Sequence, residues 1–330
     1  MPEHVDCQGL IWALVLDGAG RARQISWAAL QDFEPGPDET LWVHLDRSSS
    51  RVVSWLRQSG WISAFDCDVL LEENTRPRVL LVPDGELLLF LRGVNRNPGA
   101  EPEDMISLRI YADARRVISL RMRPMRAADE VAHQLLEGLG PKNASEILLH
   151  LADALLERIA GLITRLSERV DDEEERIDSV DDYQPDHDAM LDLRRRSAAL
   201  RRFLAPQRDV CLQLAKSRVS WFMGDDPGYW NELGNQLVHY LEELDLVRER
   251  VMLILETEQR RLNEQTGRTM YLLTLVTGFF LPVSFITGLL GINVGGVPGA
   301  DNPEGFLIAC LLIALVAFFQ WLVFRRLRWV

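Results

Sequence analysis

Cysteine is scarce in this chain. Its 330 residues hold four, Cys7, Cys67, Cys211 and Cys310. No Cys-x-x-Cys occurs and no pair has zinc-finger spacing, so neither a zinc ribbon nor a disulfide framework is indicated. The six histidines are equally dispersed and show no metal-site spacing. There is no Walker loop, no Gly-rich dinucleotide turn and no Gly-x-Ser-x-Gly, so the sequence points to no enzyme and no cofactor. Excess positive charge is also missing. Against 36 Lys and Arg stand 49 Asp and Glu, a formal charge of −13, which disfavours nucleic acid as a partner and favours cations. The N-terminus, Met1-Pro2-Glu3-His4-Val5, has no basic start or apolar run of a signal peptide, so membrane insertion is expected to rely on the other end.

That other end carries the two long apolar runs. Met270 to Leu290 is 21 residues without a charge; at 1.5 Å per residue it spans roughly 31 Å, about the hydrocarbon thickness of a bilayer. Phe306 to Phe324 is a further 19 uncharged residues, or roughly 28 Å. Two buried helices of a soluble core are the plain alternative, and the length of the runs argues against it. Arg260, Arg261 and Arg268 precede the first run, and Arg325, Arg326 and Arg328 follow the second. The loop between them has no Lys or Arg, so both termini are expected in the cytoplasm and the loop outside.

The remainder forms a large head. Up to about residue 140 it alternates short apolar runs with turn signals. Leu10 to Leu16 ends at Asp17-Gly18; Leu41 to Leu45 is followed by Ser48-Ser49-Ser50, which suits a helix through Leu56. Arg78 to Val82 and Glu86 to Leu91 flank Pro83-Asp84-Gly85, a hairpin signal. Ile106 to Tyr111 and Val117 to Leu120 suggest a second hairpin. An α/β domain with a mixed or antiparallel sheet is expected over 1–140, and an acidic helical hairpin region over 141–228. Within that region Ser145 to Val170 forms one helix, and His187 to Ser217 a second, interrupted by Pro206. Gly224-Asp225-Asp226-Pro227-Gly228 reads as a strong break. Beyond it Leu233, Leu237, Tyr240, Leu244, Val247, Val251, Ile254 and Leu262 keep a helical stripe. A stalk helix over 229–269 is therefore expected to continue into the first span, over roughly 90 Å from Trp230 to Leu290. A break at Thr266-Gly267 is the alternative; one Gly costs only about 1 kcal/mol.

In the first span, Met270, Thr274, Thr277, Leu281, Ser284, Gly288 and Gly291 recur in alternating steps of four and three, and most polar and small residues of the span lie among them. Lipid has no use for the hydroxyls. Helix packing accounts for small residues at such spacing, and water lining accounts for them as well. Two spans cannot enclose a conduit, so lining requires several copies around one axis. The loop Gly291-Ile292-Asn293-Val294-Gly295-Gly296-Val297-Pro298 favours lining. Gly291 lets carbonyls turn toward an axis, and Asn293 supplies a neutral amide oxygen. Rings of such oxygens hold a cation or its water shell without trapping it. Asp301 and Glu304 would concentrate cations at the outer mouth.

Gly291-Ile292-Asn293, after Pro282 and Phe285-Ile286 in the first of two C-terminal spans, resembles the Gly-Met-Asn signature of the CorA family of divalent-cation (metal ion) transporters. The likeness extends to the long helix, the acidic helices and the α/β head, and so to nearly the whole chain. It implies a CorA-like homopentameric funnel: an α/β cytoplasmic domain, a long α-helical stalk and two C-terminal transmembrane helices, the pore lined by the first (270–290). The loop (291–305) would be periplasmic, the second span would cover 306–324 and a basic tail 325–330. Ile292 in place of Met, and Asn-Val-Gly-Gly-Val-Pro-Gly in place of Asn-Phe followed by Met-Pro-Glu-Leu, resemble the ZntB branch of zinc transporters, as do Pro298-Gly299-Ala300 and Glu304-Gly305-Phe306. That branch implies Zn²⁺ as the transported ion, with Co²⁺, Cd²⁺, Ni²⁺ or Mg²⁺ as related cargo, the bacterial inner membrane as location, and proton coupling as an option. The residues do not show zinc by themselves. Zn²⁺ favours imidazole and thiolate, and the first span has no His, Cys, Asp or Glu, so zinc would pass partly hydrated.

One motif stands outside the pore. Glu168 to Asp192 includes Asp171, Asp172, Glu173, Glu174 and Glu175. This is either a solvated helical tip or a place where carboxylates of neighbouring chains bind a regulatory divalent ion; Asp225 and Asp226 are a second such candidate. Two rivals accompany zinc transport: a CorA-type Mg²⁺/Co²⁺ channel, and a non-conducting membrane-tethered sensor or scaffold, which would need neither the stripe nor the Gly-x-Asn loop.

Overall fold

Strand runs that are apolar at nearly every position, rather than at every second one, call for cover on both sides of the sheet. The computed structural model, which describes residues 9–73, 75–82, 85–180, 183–292 and 303–326, has that arrangement. Seven strands, β1 (Leu10–Leu16), β2 (Ala22–Gln24), β3 (Thr40–Asp46), β4 (Arg78–Leu81), β5 (Leu87–Gly93), β6 (Ile106–Ala112) and β7 (Arg116–Arg121), form one sheet in the order β2-β1-β3-β7-β6-β5-β4. β3 and β7 are parallel, with Leu41 opposite Arg116 and Asp46 opposite Arg121; every other pair is antiparallel. The sheet is therefore mixed, and both expected hairpins form. Ile11 is an extra residue in β1: Leu10 faces Leu45 and Trp12 already faces His44.

On one face lie α1 (Trp27–Leu30), α2 (Ser50–Gln58) and α3 (Ala64–Leu71). Their Trp27, Leu30, Val52, Leu56, Cys67 and Leu70 join Val43, Phe90 and Ile118 of the strands in one core. The other face is covered by α5 (Ala144–Ser179) and α6 (His187–Lys216), with α4 (Arg126–Glu137) packed on α5. Gly93 permits the close approach of α5: a Cβ there would sit 2.4 Å from Leu155 Cδ2. α4 ends on Gly138 at φ 82°, the left-handed position where Gly carries no penalty.

Pro206 does not interrupt α6, contrary to the sequence expectation. An interior Pro costs about 3 kcal/mol in an isolated helix. Here Leu200, Leu204, Val210 and Leu214 are buried, and the neighbouring Gln207 side chain accepts a 2.8 Å hydrogen bond from the Arg92 backbone N–H of β5. Packing thus outweighs one missing backbone bond.

α7 runs unbroken from Asp226 to Leu290, 65 residues, through Thr266-Gly267. Pro227 stands in its first turn, where a missing N–H is harmless. The chain divides into two compact units, Met1–Ile254 and Leu255–Val330. The second contains the rest of α7 and α8 (Gly305–Arg326).

Candidate functional site

Within the second unit, both helices are long and apolar enough to span a bilayer, and their apolar windows bury nothing inside the chain. In hydrocarbon every backbone polar group needs an internal partner. Pro282 creates a deficit, because it has no N–H for the carbonyl of Gly278 four residues back. α8 repairs it: Gln320 Nε2 donates to the Gly278 oxygen at 3.1 Å. Gly278 leaves room for this neighbour, since a Cβ there would come within 3.1 Å of Phe324 Cζ. Hydroxyls are satisfied locally: Thr274 Oγ1 donates to Met270 O at 2.8 Å and Thr287 Oγ1 to Ser284 O at 3.0 Å.

The α8-facing side of α7 thus passes through Gly278, and Leu275, Pro282 and Ile286 on the same side are half-buried. The stripe of Met270, Thr274, Thr277, Leu281, Ser284, Gly288 and Gly291 lies roughly a third of a turn away at 3.6 residues per turn. All seven of its residues are exposed. Packing between the two spans of one chain therefore does not account for the stripe. What remains is lipid, contact with other copies, or water.

At the end of the stripe, Gly291 N donates to Thr287 O at 3.0 Å, and a Cβ on Gly291 would lie 3.1 Å from that oxygen. Ile292 is exposed. Asn293 and Asp301 lie outside the described residues. Glu304 is exposed just before α8, where its carbonyl accepts from Ile308 N at 3.1 Å.

The acidic residues of the head are already engaged in several places. Arg250 of α7 donates to Asp171 and Glu174 of α5 at 2.5 Å each, and its hydrogen bond to Glu174, then that to Asp171, raises the guanidinium pKa. Glu173 is buried and accepts from Tyr183 Oη at 2.9 Å and Arg176 Nη1 at 3.2 Å. Asp172 and Glu175 are exposed. Asp226 is 3% exposed; its carboxylate accepts from Ser145 Oγ and from Met223 N, tying the first turn of α7 to that of α5. Asp225 is exposed. Among the described residues, no group of three or more His, Cys, Asp or Glu is placed to hold a metal.

Sequence reading missed two features. One is the Pro282–Gly278–Gln320 arrangement, whose only signal was a lone Gln in an apolar span. The other is a set of buried arginines in the sheet. Arg109, 3% exposed, donates to Leu70 O at 2.6 Å and Glu73 O at 3.1 Å. Burial, with Arg47 and Arg92 nearby, lowers its pKa to about 10.

Comparison with known proteins agrees with this architecture. The profile of the family described as CorA-like Mg²⁺ transporter protein matches residues 37–326. The divalent cation transporter CmaX of Pseudomonas aeruginosa is 54% identical over 327 residues, covering 99% of this chain and 98% of that one. The zinc transport protein ZntB of Klebsiella pneumoniae is 32% identical over 306 residues, 93% of this chain and 91% of its own length. Among solved structures, full-length CmaX superposes with a TM-score of 0.89 at 54% identity, over 98% of this chain and 99% of that chain. The complete CorA magnesium transporter of Methanocaldococcus jannaschii gives a TM-score of 0.76, covering 96% and 98%; at 19% identity that likeness speaks for the fold alone. With the family profile covering most of its length, the chain belongs to the CorA-like Mg²⁺ transporter family: it is a divalent-cation transporter and not an enzyme.

Proposed function

We propose that the chain assembles as a homopentamer in the bacterial inner membrane, both termini in the cytoplasm, and moves Zn²⁺ along an axis lined by the α7 stripe, with proton coupling as an option. The observation that carries the pore reading is the exposed stripe from Met270 to Gly291, which α8 of the same chain leaves uncovered. Copies around an axis would give those hydroxyls and carbonyls to hydrated cations. Asn293 would complete a ring of amide oxygens at the mouth, and Asp301 and Glu304 would raise the local cation concentration. The preference for zinc rests on Ile292, the loop sequence and the ZntB relative. Between Met270 and Leu290 there is no titratable carboxylate or imidazole, so proton coupling would act through Glu304, Asp301 or the head. A regulatory divalent ion between neighbouring copies would use the exposed Asp172 and Glu175 with the already paired Asp171, Glu173 and Glu174; Asp225 and the paired Asp226 are a second, separate candidate.

The test is uptake of radioactive zinc into liposomes containing the full chain, with and without a pH gradient and with competing Mg²⁺. Zinc uptake that resists excess Mg²⁺ is expected, a rise with the gradient would mark proton coupling and an unchanged rate passive flux, and Asn293→Ala should nearly abolish uptake while leaving the oligomer intact. Preferential Mg²⁺ flux would favour the Mg²⁺/Co²⁺ channel. Absence of flux for every divalent ion would leave a tethered sensor or scaffold.

A further inference from the structure

The head of this acidic protein contains a cavity whose charged lining is almost entirely positive. It has a volume of about 380 Å³ and lies at the carboxyl ends of β5 and β7, beside the extra residue Ile11 of β1. Four arginines line it, Arg96, Arg121, Arg126 and Arg158, against the single carboxylate Asp129. Arg121, at the end of β7, is buried and held by Asp129 at 3.3 Å. Arg158 is anchored by Glu130 and by the Ala154 carbonyl at 2.6 Å. Arg96 and Arg126 are exposed and make no ion pair among the described residues.

Three further features point the same way. β7 leads into α4, a 12-residue helix whose N-terminus borders the cavity and whose N-cap residue, Met125, offers no side-chain acceptor. The first N–H groups of such a helix favour an anion. Trp12, fully buried on the cavity wall, has an indole N–H without an acceptor among the described residues. A buried donor left unpaired costs about 1–3 kcal/mol, a cost that a bound acceptor would remove. Apart from Asn97, the rest of the lining is apolar, with Val94, Met125 and Leu155 beside Trp12. Inorganic anions would satisfy the arginines but leave this surface uncovered.

We propose that this cavity binds an organic phosphate of nucleotide size. The phosphoryl oxygens sit among Arg96, Arg121, Arg126 and the first turn of α4, and the apolar or heteroaromatic part lies against Trp12, Met125 and Leu155. Its volume is in the range of small-ligand sites. The cavity lies wholly within the first unit, so the site is independent of the metal carried and of the pore reading.

The experiment is titration calorimetry on the full chain in detergent, free of divalent metal, with AMP, ADP, inorganic phosphate and adenosine as separate probes. AMP or ADP should bind at least about tenfold more tightly than phosphate or adenosine, a difference of about 1.4 kcal/mol. The double variant Arg96→Ala/Arg126→Ala should weaken nucleotide binding by at least about tenfold. Its melting temperature without ligand should stay that of the parent, because both side chains are exposed and unpaired. Trp12→Phe, which keeps an aromatic ring but loses the N–H and the five-membered part of the indole, should weaken binding severalfold. The proposal is overturned if neither nucleotide binds at millimolar concentration, if phosphate or adenosine binds as tightly as AMP, or if the double variant binds like the parent.

Discussion

α7 has two halves that differ although the helix between them is continuous. From Trp230 to Ile254 it presents Leu233, Leu237, Leu241, Leu244, Val247 and Val251 to the head as a buried face. From Leu255 to Leu290 it has no buried residue, and Met270, Leu281 and Phe285 are all more than 60% exposed. The first half has its core partners within the same chain. The second is more apolar and has fewer partners, which makes sense only if lipid and other copies of the chain are its surroundings. Helix formation is local and occurs in both halves; burial depends on what stands opposite.

The sharpest way to break that comparison is to truncate one large side chain in each half. Trp230→Ala removes a fully buried indole and should destabilise the head by about 3–5 kcal/mol, read by denaturant unfolding. Leu281→Ala, at a position 67% exposed, should leave the unfolding midpoint unchanged. Comparable losses would mean that the second half is packed within the protomer after all.

Acid should also separate the two regions. His44 is fully buried, stacked 4.4 Å from Trp12 and 2.7 Å from Ser119 Oγ. Burial first, and Arg121 second, hold its pKa well below the usual 6.5. Below pH 6.5 the unfolded chain therefore binds a proton that the folded head refuses. The stability of the head is complete above that pH and should fall below it by up to about 1.4 kcal/mol per pH unit. His44→Gln should flatten that slope. A parent protein whose stability is the same at pH 5 and pH 7, or a variant as acid-sensitive as the parent, would refute the assignment to this group.

A smaller effect is expected at the helix contact inside the membrane unit. Gln320→Leu keeps the size of the side chain but leaves the Gly278 carbonyl without its donor, at a cost of about 0.5–2 kcal/mol. A cysteine pair across α7 and α8 should then cross-link more slowly than in the parent. An unchanged rate would show that the carbonyl finds another partner.

The smallest change in stability belongs to the stripe. Thr277→Val and Ser284→Ala should each alter stability by less than about 0.5 kcal/mol, yet slow metal flux more than Thr287→Val, which lies off the stripe. Equal slowing at all three positions would favour packing between copies over lining.

Much of this was legible in order along the chain. β1 coincides with the apolar run Leu10–Leu16 and α7 ends at Leu290, where the first apolar run ends, because both signals come from consecutive residues meeting one environment. The short elements β2 and α1 carry too few residues for any period to show, and α4 escaped because Arg126–Glu137 mixes Ala with charge on a helix buried mainly through alanines. Pro206 misled for a different reason: its local penalty is real, but the packing that overrides it is not local. For the candidate pathway, the stripe and the Gly291-Ile292 turn could be read from spacing, while the side of α7 that α8 occupies could not.

The sequence by itself determined that two uncharged runs near the C-terminus match a bilayer, that one helix leads into the first of them, and that its small and polar residues share a face. Those properties depend on hydropathy and on a repeat of 3.6 residues, which any stretch of chain carries with it. Only the tertiary structure decided that residues 41–46 pair in parallel with 116–121, that Gln320 answers the carbonyl Pro282 leaves free, and that Arg96, Arg121, Arg126 and Arg158 meet around Trp12. Each of these joins residues remote in sequence, and the geometry that brings them together is set by strand order and helix contact, to which no local pattern is sensitive.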